Sequence, residues 1–332
     1  MPLILNGQPR YVLLSPGRDE AEYVRRTLES VAGQTVPPAL WVVVDDGSTD
    51  ATPAILEEYS RKLPYLRVVR RPDRGRRSVG PGVVEAFYAG LETVDLDDFE
   101  YLCKLDLDLE LPPRYLELLM TRMQANPRLG TVSGKPYFVH PRDGSHVPEV
   151  LSDEMSAGMT KFFRTECFRE IGGFVRGVMW DGIDCHRCRM LGWLAESLSD
   201  EELRFLHLRP QGSSYKGIWT GRARAGRGQY FMGTSPVYAV AGALSRVLKH
   251  PFLLGSVANL WGYFSSLVRR APRYEDPAFR RFVRQYQYRC LLYGKRRATH
   301  RLNEMQAAVW RAAHEGASPS PRSATGDGTR QP

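Results

Sequence analysis

The sequence has few cysteines and no uninterrupted apolar run as long as a membrane-spanning helix. Its 332 residues include 5 Cys, an odd number at irregular spacing, which argues against a disulfide framework and favours a reducing compartment. The N-terminus also lacks the basic segment and apolar stretch of a secretion signal. The sequence therefore predicts a cytoplasmic protein.

Acidic residues are scarce in the C-terminal part of the chain. Residues 201–332 carry 22 Lys and Arg against 7 Asp and Glu, a net charge of +15, whereas residues 1–200 carry 24 against 30, a net charge of −6. The whole-chain charge of +9 therefore arises in the C-terminal part alone. Such a segment favours an anionic partner, either a nucleic acid or an anionic membrane surface.

Strand and helix patterns alternate through the first half of the chain. Apolar runs predict strands at residues 11–15, 39–44, 66–69 and 101–105, and helical periodicity predicts helices at 20–31, 52–63 and 83–91. This order predicts an α/β fold, a mostly parallel sheet with helices on both faces. In such sheets, ligands bind beyond the carboxyl ends of the strands.

Two acidic clusters follow predicted strands. Asp45 and Asp46 come directly after the second strand, and Asp106 and Asp108 after the fourth. Side chains two residues apart at a strand end lie on the same face, and paired carboxylates there suit Mg²⁺ or Mn²⁺. A lone Asp-x-Asp is more often a solvated turn, but a second acidic strand end in the same sheet favours a metal site.

Three motifs occur in order along the chain: Ser15-Pro16 through Glu20, Asp45 through Asp50, and Asp106-Leu107-Asp108. In order and spacing they resemble family 2 glycosyltransferases of the GT-A fold, over residues 10–210. The resemblance implies a Rossmann-like GT-A sheet and a metal-dependent, inverting hexosyltransferase. It implies a nucleotide-sugar donor, with a UDP-sugar favoured, and a glycan or lipid-linked acceptor in cell-surface polysaccharide or glycolipid biosynthesis.

The resemblance also implies a role for each matching residue. The donor nucleotide is expected to contact Pro16, Glu20, Asp45, Asp46 and Asp106. Asp108 is expected to bind Mg²⁺ or Mn²⁺ directly, together with Asp106 and His207. Gly172 and Gly173 are expected near the donor sugar, because glycine lets the backbone approach a ligand closely. A helix C-cap at Gly172 is compatible with that role.

The predicted catalytic base is Asp181 or Asp184. An inverting transfer needs a carboxylate that removes the proton of the acceptor hydroxyl. Members of the family carry an arginine six residues and a glycine eleven residues after the base, and counting from Asp181 gives Arg187 and Gly192. Asp181 is therefore favoured, although Trp180 replaces the usual Glu before it. A helix N-cap is the structural alternative for either Asp.

Two further patterns leave a functional and a structural interpretation open. Residues 70–82 contain five arginines, and this loop is either a cationic cover for a nucleotide diphosphate, with Arg76 as its candidate contact, or an ordinary solvated loop. Cys185 and Cys188 have the spacing of a zinc or redox motif. Because the chain has no second pair with that spacing, packing is the favoured explanation.

The C-terminal third predicts a helical extension. The predicted divisions are a GT-A domain at 1–215, the extension at 216–314 and a disordered tail at 315–332. Residues 251–268 carry no charge and would form a helix of about 27 Å, near the lower limit for a span. Flanking basic residues favour an interfacial helix that holds residues 236–273 at the anionic inner face of a membrane. A hairpin that closes the core or a dimer interface is the alternative.

Other functions remain open. A nucleotidyltransferase on a related sheet would use the paired carboxylates but not Asp181. A non-catalytic module for sugar nucleotides or nucleic acid would bind without turnover, but no nucleic-acid recognition motif is present, so that partner is not expected. The chain also lacks the Gln-x-x-Arg-Trp motif of processive polysaccharide synthases, so the resemblance implies a single-addition enzyme.

Overall fold

A computed structural model describes residues 4–5, 8–75, 80–140, 143–209, 218–247 and 252–315. The strands are β1 (Ile4–Leu5), β2 (Gln8–Pro9), β3 (Tyr11–Gly17), β4 (Leu40–Asp45), β5 (Leu66–Arg70), β6 (Tyr101–Leu105), β7 (Leu109–Glu110), β8 (Leu129–Ser133), β9 (Lys135–Val139), β10 (His146–Pro148), β11 (Thr160–Arg164), β12 (Leu194–Ser197) and β13 (Arg204–His207). The helices are α1 (Val24–Ala32), α2 (Thr52–Lys62), α3 (Pro81–Leu91), α4 (Tyr115–Ala125), α5 (Thr165–Glu170), α6 (Trp180–Met190), α7 (Ile218–Met232), α8 (Pro236–Leu244), α9 (Phe252–Val268), α10 (Pro277–Tyr293) and α11 (Lys295–His314).

The central sheet has seven strands in the order β12-β8-β11-β6-β3-β4-β5. The pairs β12–β8, β6–β3, β3–β4 and β4–β5 are parallel, whereas β11 runs antiparallel to both of its neighbours. The predicted α/β fold with a mostly parallel sheet is confirmed. Because β3, β4 and β6 run in the same direction, their carboxyl ends lie at one edge of the sheet, and the acidic clusters follow that edge.

Alternate side chains of the central strands enter two separate cores. Leu13, Trp41 and Val43 are buried on one face of the sheet, in a cluster shared with α1, α2 and α4. Leu14 and Val42 are buried on the opposite face, with α3, α5 and α6. Because helices cover both faces, these strands are continuous apolar runs, as the sequence analysis required.

A second sheet, in the order β10-β9-β13-β7, extends the same edge. β13 pairs antiparallel with β7, which places His207 opposite Leu109. In the same ladder, the backbone amide of Leu208 donates to the carbonyl of Asp108 at 2.8 Å. This register brings the end of β13 next to the residue that precedes β7.

Within the described residues, helices α7 to α11 form the predicted C-terminal helical extension. Phe279 and Val283 of α10 pack against Ile183 of α6, and Trp310 of α11 meets Trp193 with ring centroids 5.7 Å apart. No helix in the described part of the chain is long and apolar enough to cross a membrane. The predicted boundary between residues 215 and 216, and the tail beyond residue 315, lie outside the described residues.

Candidate functional site

The chain leaves β6 through Asp106, Leu107 and Asp108. Leu107 is buried under Gly17 of β3, where an added Cβ would lie 2.5 Å from the Leu107 Cδ1. Glycine at this position therefore allows β3 and the turn to approach closely. With Leu107 held inward, both aspartates are fixed at the carboxyl edge of the sheet.

Lys104 holds the carboxylate of Asp106. The Nζ of Lys104 pairs with Oδ1 of Asp106 and donates to the carbonyl oxygen of Gly158 at 3.0 Å. Burial raises the pKa of Asp106, and the charge of Lys104 opposes that rise. Asp106, one of the three predicted metal ligands, is thus paired with a lysine. The other two, Asp108 and His207, lie next to each other.

His207 lies between two carboxylates. Its Nε2 is 3.7 Å from Oδ2 of Asp108, and its Nδ1 is 2.8 Å from Oε1 of Glu149. Burial lowers the pKa of His207, but the two carboxylates outweigh burial and raise this pKa to about 9. Without another cation, His207 is therefore protonated at pH 7 and neutralises part of the acidic charge.

One carboxylate oxygen of Asp108 is buried and unpaired among the described residues. Its Oδ1 has no hydrogen-bond partner in the part of the chain that the structure describes. Burial would raise the pKa of Asp108, but the adjacent imidazole of His207 and the charge of Arg209 hold it below its usual value. A charged, buried carboxylate with an unused oxygen beside an imidazole fits a divalent cation.

Arg209 and Glu149 belong to this cluster, and the sequence analysis missed both. Nε of Arg209 is 3.9 Å from Oδ2 of Asp108, and its Nη2 is 2.5 Å from Oε2 of Glu20, a predicted donor residue. Arg209 follows His207 by two residues at the end of β13, and that position was an available signal. No sequence pattern indicated Glu149, because it follows β10 and contacts His207 only in the folded chain.

The Asp45-Asp46 turn is held by its own hydrogen bonds and by arginines. Asp45 accepts a hydrogen bond from the backbone amide of Ser48 at 2.9 Å, which fixes the turn after β4. Oδ1 of Asp46 is 2.7 Å from Nη1 of Arg71, and its Oδ2 pairs with Nη2 of Arg74. These two arginines of the cationic loop therefore bind a carboxylate of the protein.

The other predicted donor residues are placed as follows. Pro16 is buried near the end of β3, opposite Val44 of β4. Arg76 lies outside the described residues. Gly172 and Gly173 follow α5 with φ of +70° each, a conformation that favours glycine and accounts for both as a helix C-terminal turn. Their place near a donor sugar stays a prediction.

Asp181 lies in the first turn of α6 and is half-buried. It lies against Gly158, where an added Cβ would be 2.9 Å from the Asp181 Oδ2. Gly158 also accepts the hydrogen bond from Lys104, so Asp181 and Asp106 adjoin the same short segment. Within the described residues, the Asp181 carboxylate has no hydrogen bond or ion pair.

Asp184, the alternative base, is enclosed in the core. Its two carboxylate oxygens are 2.8 and 2.7 Å from Nζ of Lys161, and the amide of Cys185 donates to it at 2.6 Å. Burial raises the pKa of Asp184 to about 6, against the charge of Lys161. Asp184 is therefore closed off from the surface, whereas Asp181 is partly exposed. Neither caps α6, whose N-cap is Met179.

Comparisons with known proteins match part of the chain. Residues 15–176 match the family model described as Glycosyl transferase family 2. The chain is 28% identical over 119 residues to a poly-beta-1,6-N-acetyl-D-glucosamine synthase of Staphylococcus epidermidis, covering 36% of this chain and 26% of that protein. It is 26% identical over 161 residues to the hyaluronan synthase of Pasteurella multocida, covering 47% and 15%. The chain therefore matches a small part of the length of these curated relatives.

Solved structures match more of the chain. The crystal structure of S. aureus TarS 1–349 has a TM-score of 0.51 at 17% identity, covering 94% of this chain and 93% of that chain. The structure of GalNAc-T7 with UDP, GalNAc and Mn²⁺ has a TM-score of 0.53 at 14% identity, covering 86% and 57%. At these identities the likeness concerns the fold, and it confirms the predicted GT-A architecture.

Proposed function

We propose, from the match of residues 15–176 to the family model described as Glycosyl transferase family 2, that the chain transfers a sugar from a nucleotide-sugar donor to an acceptor hydroxyl, with inversion at the anomeric carbon. The observation that carries the proposal is the pairing of Asp108 with His207 at the carboxyl edge of the sheet. Asp181 lies against Gly158, whose carbonyl accepts a hydrogen bond from the lysine that pairs with Asp106. The TarS and GalNAc-T7 structures that contain UDP support a UDP-sugar as donor. The names of the synthase relatives support polysaccharide assembly. We propose a glycan or lipid-linked acceptor in polysaccharide or glycolipid assembly.

Asp108 and His207, with Asp106 beside them, would hold Mg²⁺ or Mn²⁺. The unpartnered buried oxygen of Asp108 supports this assignment, as does the Mn²⁺ bound by GalNAc-T7. A divalent cation there would neutralise the charge that develops on the leaving diphosphate. A metal-bound His207 would be neutral, and Glu149 would accept the hydrogen bond from its Nδ1 and hold the ring in place.

The donor nucleotide would lie along the ends of β3 and β4. Asp45 shapes the turn there, and Asp46 holds Arg71 and Arg74 beside it. Glu20 is held by Arg209, which also faces Asp108, so these side chains connect the proposed nucleotide pocket to the proposed metal site. Pro16 would line the pocket wall. Arg76 would contact the diphosphate, and Gly172 and Gly173 the donor sugar.

Asp181 would act as the base. As the acceptor oxygen bonds to the anomeric carbon, the bond from that carbon to the diphosphate breaks, and the nucleoside diphosphate leaves. The acceptor proton passes to the Asp181 carboxylate, which has no competing partner among the described residues. Asp184 stays paired with Lys161 and holds the first turns of α6 in place.

Removing the charge of Asp108 tests the proposal. We expect the wild-type protein to release nucleoside diphosphate from one class of nucleotide sugar, with water as the slow acceptor, only when Mn²⁺ or Mg²⁺ is present. Asp108→Asn should lower that rate about 10²-fold or more, the scale for one group that stabilises transition-state charge. The readout is the nucleoside diphosphate released from a panel of UDP- and GDP-sugars.

The matched control is Asp143→Asn, because Asp143 is exposed and distant in sequence from the proposed ligands. This variant should keep the wild-type rate. Equal release in Mn²⁺ and in EDTA, or an Asp108→Asn variant as fast as the wild type, would show that the acidic strand end does not serve a metal-dependent transfer.

A further inference from the structure

Helix α9 exposes its apolar side chains. Six of them are between 36% and 80% exposed: Leu253, Leu254, Val257, Trp261, Phe264 and Val268. At about 100° per residue, these six positions fall within one arc of about 100° around the helix, and no polar residue interrupts that arc. We call these six side chains the α9 face.

The opposite side of α9 is small and polar. The residues buried there include Gly255, Ser256, Ala258, Asn259, Gly262 and Ser266. An added Cβ at Gly262 would lie 1.9 Å from the carbonyl oxygen of Ala223 in α7, so the two helices approach nearly to backbone contact. In a helix at a protein surface the apolar side normally faces the core. In α9 the arrangement is reversed.

The surroundings of the α9 face are strongly basic. Residues 203–274 contain 11 Lys and Arg and no Asp or Glu. Five of these arginines are exposed on α7 or directly after α8 and α9: Arg222, Arg227, Arg246, Arg269 and Arg270. The segment around α9 therefore combines an exposed apolar strip with exposed arginines, and it contains no acidic residue between positions 203 and 274.

We propose that the α9 face lies in the interfacial region of an anionic lipid bilayer, with the helix parallel to the membrane plane. The apolar side chains, Trp261 among them, would enter the boundary between headgroups and acyl chains, while the arginines contact anionic headgroups. The helix, about 25 Å long, keeps its other side on α7 and α8, so only one side can enter the lipid.

Charge complementarity favours an anionic bilayer over a second copy of the chain or a nucleic acid as the partner of the α9 face. In a symmetric dimer through the α9 face, the same patch of both copies would meet, and the exposed arginines near α9 in one copy would face those of the other. A nucleic acid would match the charge but not the aliphatic centre of the strip. An anionic bilayer matches both.

The α9 face is linked to the proposed base through α7. An added Cβ at Gly228 of α7 would lie 2.4 Å from Met179, two residues before Asp181, and Phe231 of α7 lies against Gly177. If Asp181 is the base, a lipid-linked acceptor would reach it from this side. Only this last step rests on the proposed function, since membrane binding by the α9 face requires no activity.

Vesicle sedimentation of the full chain tests the proposal. We expect at least tenfold stronger binding to vesicles of phosphatidylcholine with phosphatidylglycerol than to phosphatidylcholine alone. Trp261→Asn, and separately Arg269→Glu with Arg270→Glu, should each weaken binding to the anionic vesicles at least tenfold. Leu292→Asn on α10, 74% exposed, and Arg296→Glu with Arg297→Glu on α11 are matched controls that should stay within twofold of wild type.

Several results would overturn the proposal. The proposal fails if the wild type does not bind anionic vesicles, or if it binds both vesicle types equally. It also fails if the Trp261→Asn variant binds anionic vesicles as strongly as the wild type. A wild-type dimer in solution that Trp261→Asn converts to a monomer would instead show that a second copy covers the α9 face. Nucleoside diphosphate release, measured in detergent-free buffer without vesicles, reports separately on the proposed function and should be unchanged in Trp261→Asn.

Discussion

Asp181→Asn is expected to lower kcat about 10²- to 10⁴-fold, the range that positioned general acid–base groups contribute. Asparagine keeps the size of the side chain but cannot accept the acceptor proton. Because Asp181 has no ion pair within the described residues, the change should leave folding intact. The measurement is kcat for sugar transfer, together with the Kd for the donor nucleoside diphosphate, which should stay at the wild-type value.

Asp97→Asn is the matched control, since Asp97 is an exposed aspartate in a surface ion pair with Arg169. This variant should transfer sugar at the wild-type rate. A nucleotidyltransferase would use the strand-end carboxylates without Asp181, so an Asp181→Asn variant with undiminished kcat would favour that chemistry over sugar transfer. A binding module would show nucleotide binding and no turnover in either protein.

Lys161→Met is expected to destabilise the fold by about 3–5 kcal/mol, because it leaves the Asp184 carboxylate without its partner in the core. Burial favours the protonated form of Asp184 in the folded state. A folded-state pKa above the unfolded value stabilises the fold at low pH, and this contribution is lost as the pH rises through the folded-state pKa. The loss in Lys161→Met should therefore be smaller at pH 5 than at pH 8, as measured by urea unfolding.

Two further variants test whether the buried Lys161–Asp184 pair causes the loss of stability. Lys161→Met with Asp184→Asn removes both charges and should recover part of the lost stability. Lys62→Met breaks an exposed ion pair with Glu58 and should not change the unfolding midpoint measurably. If Lys161→Met unfolds at the same urea concentration as the wild type at pH 8, the buried pair does not hold α6, and the argument that separates Asp184 from Asp181 fails.

The sequence predicts the parallel part of the fold well, for a physical reason. β3, β4 and β6 are buried on both faces, so each is a largely apolar run that stands out without any knowledge of its neighbours. β11 could not be found in that way. It begins Thr160-Lys161, and a buried lysine is acceptable there only because Asp184, on a helix later in the chain, neutralises it.

The same distinction applies to the candidate site. Asp106 and Asp108 are visible in the sequence because both follow one strand. The contact of His207 with Asp108 depends on the pairing of β13 with β7, and its contact with Glu149 depends on the folded second sheet. Local spacing carries no information about such pairs. The preference for Asp181 over Asp184 came from its spacing to Arg187 and Gly192. The burial of Asp184 against Lys161 supports that preference and is visible only in the folded chain.

The central claim is that the acidic strand end binds a divalent cation together with a nucleoside diphosphate, and thermal unfolding with a panel of nucleoside diphosphates tests it most directly. A ligand that binds only the folded protein stabilises it by about 2.7 kcal/mol at roughly 100 times its Kd. We predict stabilisation by UDP or GDP in Mn²⁺ but not in EDTA, absent in Asp108→Asn and retained in Asp181→Asn. Folded wild-type protein that no nucleoside diphosphate stabilises in Mn²⁺, or that one stabilises equally in EDTA, would contradict the claim.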